Sequence, residues 1–120
     1  MVTTSSLTEA EQAVAEQRRL LAAEGERHRP ELAKGLAELA RAYEREDRMQ
    51  DALAAARESV AMLSPDFLQH PRRLSESMRT LVTQYVALAQ RCRAQPDEAL
   101  LTPIAQATGD LTRTEDETDY

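Results

Sequence analysis

Apolar residues recur along this chain at steps of three and four, and polar residues fill the positions between. From Arg29 onward, Leu32, Leu36, Leu39 and Tyr43 fall on one face of a helix, with Lys34, Glu38, Arg41 and Arg45 on its other faces. Pro30 suits the first turn, where the N–H has no helical partner to lose, and Glu31 complements the positive end of the helix dipole. The polar run 46–48 interrupts the pattern, with Asp47 placed to cap a second helix and Gln50 to reach back to it. Met49, Ala52, Leu53, Ala56, Val60 and Leu63 form the second stripe, and Ser64, Pro65 and Asp66 predict its end. Two helices joined by so short a turn lie antiparallel, so residues 29–65 read as a helical hairpin. Ala40, Ala52 and Ala56 sit on the facing sides, where small side chains let the axes approach to the close end of the usual ~8–10 Å.

The same periodicity extends in both directions. Leu7, Ala10, Val14 and Leu21 predict a helix over 7–24, with Thr8 and Glu11 as its capping box and Gly25 as its stop. Phe67 and Leu68 predict a turn of 3₁₀ helix tucked against the core. Leu74, Met78, Leu81, Tyr85, Leu88 and Cys92 predict a helix from Pro71 to about Ala94. Pro96, Asp97 and Glu98 spell another helix start. The fifth helix carries Leu100, Leu101, Ile104 and Ala107, is expected to kink or break at Pro103, and to end at Gly109. Residues 1–6 and the acidic segment 110–120 are too polar to fold alone and read as disordered ends of a helical domain over 7–109. Leu32 and Leu74, Leu36 and Met78, Leu39 and Leu81, Tyr43 and Tyr85 are each 42 residues apart, so the chain repeats itself.

Composition narrows the classes. A chain of 120 residues, 42% hydrophobic, makes a single domain, and one with 3% aromatic residues dominated by Ala, Leu, Glu and Arg is expected to be all-α. Fourteen arginines to one lysine point to a GC-rich, bacterial genome. Of the net charge of −6, the segment 110–120 holds five acids against Arg113, or −4, leaving −2 on the body. Neither part has the basic surplus that phosphate binding needs, which argues against nucleic acid. The single Cys92 excludes an intrachain disulfide, and the absence of a long apolar run argues against a membrane span or leader and for the cytoplasm.

The central hairpin resembles the tetratricopeptide repeat on Leu39, Ala40, Tyr43, Ala52, Ser59 and Pro65. It departs from that family where Leu36 replaces the early tryptophan, Asp47 the turn glycine and Ala56 the large aromatic of the second helix, and where the proline falls one residue late. The resemblance implies antiparallel hairpins stacked as a short superhelix of about five helices and two units, with the first helix of each unit lining a groove for an extended peptide or a partner helix. It places Lys34, Arg41, Glu44, Arg45, Glu76, Arg79 and Thr83 on that groove, with Lys34, Arg41 and Arg79 offering donors to the carboxylates of an acidic partner. The paired asparagines of the family's carboxylate-gripping grooves are absent, so that specificity is not implied.

Nothing points to catalysis or a cofactor. His28 and His70 fall in connectors and read as exposed loop residues, Cys92 continues an apolar stripe and reads as a buried thiol, and Asp97 and Glu98 are accounted for as helix-start charges. No phosphate loop or nucleophile elbow is present. The expected function is a non-enzymatic protein–protein interaction module. Alternatives are a homo-oligomerising bundle without a peptide groove, because about two repeats leave the ends of a solenoid exposed, and a self-inhibited form in which the acidic segment covers the groove.

Overall fold

The leucine and alanine stripes are the faces that meet in the folded chain. The computed structural model describes residues 6–118, with side chains described as far as Gly109. The described residues form an all-α structure: α1 (Ser6–Glu24), a 3₁₀ turn (Glu26–His28), α2 (Arg29–Arg45), α3 (Met49–Gln69), α4 (Pro71–Arg91) and α5 (Glu98–Thr118). Each helix packs against its neighbour in sequence, and α5 also touches α3. One core runs through all five. It contains Leu32, Leu36 and Leu39 of α2, Val60, Leu63 and Phe67 of α3, Met78, Leu81, Tyr85 and Leu88 of α4, and Ile104 of α5. Ala40, Ala52 and Ala56 are fully buried, as expected of residues at a close helix crossing.

Several expected helix ends lie elsewhere, each for a local reason. α1 begins at Ser6, so Thr8 lies inside the helix and not at its cap; residues 1–5 lie outside the described part of the chain. Gly25 does end α1, at φ 93°, a left-handed conformation open to glycine. His28 is partly buried, its Nε2 2.8 Å from Glu24 Oε2, and so is less exposed than expected. The turn between α2 and α3 is not a side-chain cap: Asp47 takes φ 58° and Arg48 occupies the N-cap position without a capping bond. Asp47 supplies the left-handed turn conformation, which Asp and Asn tolerate better than most residues.

α3 does not stop at Pro65. Proline removes the N–H that would bond the Ala61 carbonyl, yet the helix continues to Gln69. The extra turn is held at two points. Phe67 is 1% exposed, while Leu68 faces outward, so the expected 3₁₀ turn is in fact helical and only one of its two apolar residues packs inside. Beside them, Asp66 accepts from Arg29 Nε at 3.1 Å across to the start of α2.

α4 ends at Arg91, and Cys92 is its half-buried C-cap, with Sγ 3.6 Å from the Met49 carbonyl. Arg93 then takes φ 55° and turns the chain. Asp97 is the true cap of α5. Its Oδ1 accepts from Leu100 N at 3.2 Å, its own N–H donates to the buried Tyr85 hydroxyl at 2.8 Å, and its carboxylate meets the Arg57 guanidinium. That guanidinium, and then the Leu100 N–H, hold the Asp97 carboxyl below its ordinary range. α5 runs without interruption through Pro103, because the carbonyl it deprives belongs to exposed Ala99 and can bond water. It also passes Gly109, whose backbone is not left-handed and which therefore costs a helix only about 1 kcal/mol. The backbone is thus helical to Thr118, into the segment expected to be disordered, while the acidic side chains from Asp110 lie outside the described ones.

Candidate peptide groove

Two contacts fix how α2 and α4 lie. Gln84 Nε2 donates to the Ala37 carbonyl at 2.9 Å, and seven residues farther along both helices Arg91 Nη1 pairs with Glu44 Oε2 at 3.4 Å. Equal steps in the same sense mean that α2 and α4 run parallel, side by side, in front of α3. Between them is a groove of about 520 Å³. Its floor is Ala33, Ala37, Leu63 and Leu81, and its rims carry Glu31, Lys34, Glu38 and Arg41 from α2 and Arg73, Glu76, Ser77 and Thr80 from α4.

Many of the arginines away from the rims are paired. Arg18 grips Glu58 through two bonds of 2.6 and 2.9 Å, tying α1 to α3, and Arg19, Arg27, Arg29, Arg48, Arg57 and Arg91 also have carboxylate partners. Glu31, Lys34, Glu38, Arg41, Arg73 and Glu76 have no ion-pair partner among the described residues. Unpaired charged side chains keep their full hydration but remain available to a partner. Gln84 Oε1, beneath this rim, is buried with no donor among the described residues.

The seven residues expected on one groove are divided by the structure. Lys34, Arg41 and Glu76 line the α2/α4 groove. Arg79 and Thr83 do not; they lie on the other flank of α4, beside a second groove of about 630 Å³ shared with Leu101 and Ile104 of α5. At about 100° per residue, Arg79 lies about 60° round the helix from Glu76 on the side away from Arg73, Ser77 and Thr80, and that small rotation at the groove's edge is enough to put it on the α5 flank. Glu44 is engaged by Arg91, and Arg45 reaches α1, donating to Ser6 Oγ at 3.2 Å.

No family model matches this chain, and no curated protein or solved structure matches it significantly.

Sequence reasoning missed Glu31, Glu38, Arg73, Ser77 and Thr80 on these rims. Glu31 has a sufficient explanation as a helix-start charge, and Glu38, between Lys34 and Arg41, was left off the expected groove although Glu44 and Glu76 were placed on it. The 42-residue offset itself contained the signal: Glu31 maps to Arg73, and Lys34 to Glu76. Acids and cations alternate, so the rim is mixed in sign and not a basic strip. Among the described residues, no group of three or more His, Cys, Asp or Glu could hold a metal ion, and no helix is long and apolar enough to cross a membrane.

Proposed function

We propose that this chain is a non-enzymatic protein–protein interaction module, a degenerate tetratricopeptide-like array of about two units acting in the bacterial cytoplasm, which takes a peptide or helix of a partner protein into the α2/α4 groove. The observation that carries this reading is a clustering of unpaired charge: Glu31, Lys34, Glu38, Arg41, Arg73 and Glu76, none with an ion-pair partner among the described residues, gather on the two rims of one groove. The shallow apolar floor beneath them suits a chain or helix lying lengthwise, not an enclosed small molecule. The mixed rim favours a partner carrying both signs over a purely acidic one.

Two charge reversals test the choice of groove. With the purified chain as bait in native cell extract, Arg41→Glu is expected to reduce retention of a specific partner about tenfold, with unchanged circular dichroism. Arg79→Glu, on the other flank of α4, is expected to leave it unaltered. Equal loss with both variants, or with neither, counts against the α2/α4 groove.

A further inference from the structure

Along the rim of α2, the exposed residues Glu31, Lys34, Glu38 and Arg41 follow one another at steps of three, four and three. That spacing is the seam of a left-handed coiled pair, in which one row of side chains stays turned toward a partner helix. The signs along the row run negative, positive, negative, positive. Laid antiparallel on a copy of itself, the row meets its own reverse. Glu31 faces Arg41 of the second copy, Lys34 faces Glu38, and the two-fold axis repeats both pairs. Laid parallel and in register, every residue faces its like. We propose that a second copy of this chain docks antiparallel along α2, closing an isologous dimer through this row. The inference rests on reading the α2/α4 face as a protein-binding surface, and names its occupant.

The surroundings fit such a contact. Beside the row on its α4 side lie Ala33 and Ala37, small and buried, so no bulky side chain stands between the row and an incoming helix. None of the four charged side chains has an ion-pair partner in its own chain among the described residues, so docking breaks no existing pair. The next step of the seam is Arg45, whose side chain is turned to Ser6 on α1, so the row ends where its alternation ends. The groove floor offers little apolar area, so attraction between the rows dominates. The dimer is accordingly weak and strongly salt-dependent, since solvent-exposed charges are screened over about 10 Å at 0.1 M salt.

The test uses the purified full chain alone, by sedimentation velocity over a concentration series reaching about 1 mM. At about 0.02 M salt the wild type is expected to show a monomer–dimer equilibrium, weakened at least tenfold at about 0.5 M. Lys34→Glu and Glu38→Lys each set like charges together at two symmetry-related places, and each is expected to weaken the dimer at least tenfold. The double variant Lys34→Glu/Glu38→Lys restores opposite signs and is expected to recover it. The two single variants mixed in equal amounts are expected to pair with each other. Circular dichroism with thermal melting confirms that every variant is folded. A wild type that stays monomeric at low salt, a dimer indifferent to the single reversals, or a double variant as weak as the singles overturns the proposal. A monomeric chain that still captures another protein through Arg41 overturns the dimer and leaves the groove reading intact. A swap-sensitive dimer with Arg41-independent capture does the opposite.

Discussion

Phe67→Ala is expected to lower the unfolding free energy by about 3–5 kcal/mol, read from urea denaturation followed by circular dichroism. Phe67 is 1% exposed and heads the fully buried side chains by volume. It lies two residues beyond Pro65, in the turn that proline should have prevented. Removing the ring leaves a cavity and also takes away the reason for that turn to stay helical. The loss is therefore expected to include the Arg29–Asp66 ion pair, detectable as faster amide exchange over residues 66–70. A loss under about 1 kcal/mol would mean that the end of α3 is not packed as described.

Ala56→Leu acts in the opposite way, by filling space that is not there. Ala56 on α3 is 0% exposed, as are Ala40 on α2 and Ala52 one turn before it. Its carbonyl also accepts from the buried Ser59 hydroxyl at 2.7 Å, so the local backbone has a second constraint. Three additional carbons force α2 and α3 apart, at an expected cost of about 2–3 kcal/mol in thermal or chemical unfolding. Ala54→Leu, on the exposed side of the same helix, is expected to change stability by less than about 0.5 kcal/mol. Equal effects from the two would show that α3 does not press its Ala56 side against α2.

Long stripes of apolar residues made the helices legible in the sequence. Leu32, Leu36, Leu39 and Tyr43 repeat often enough to fix both the helix and its inward face, and all five helices begin within about two residues of the expected place. Ends were less legible, because an end is decided by what the last turn packs against. Phe67 outweighs Pro65, and exposed Ala99 tolerates Pro103, but neither circumstance is visible until the helices are assembled. The groove was half legible. Lys34, Arg41 and Glu76 line the α2/α4 groove together, while Arg79 and Thr83 line the α4/α5 one, because the apolar stripe defines the inward face and leaves open which neighbour borders each edge. Glu31 and Glu38 fell outside the expected groove residues, although with Lys34 and Arg41 they make the alternating row.

The most direct measurement of where a partner sits is photo-cross-linking in native cells. A photoreactive amino acid replaces either Thr80, within the α2/α4 groove, or Ala54, on the exposed side of α3. The account predicts a discrete light-dependent adduct from position 80, made with a second copy or another protein, and none from position 54. The same adduct from both positions, or one from position 54 alone, would contradict it.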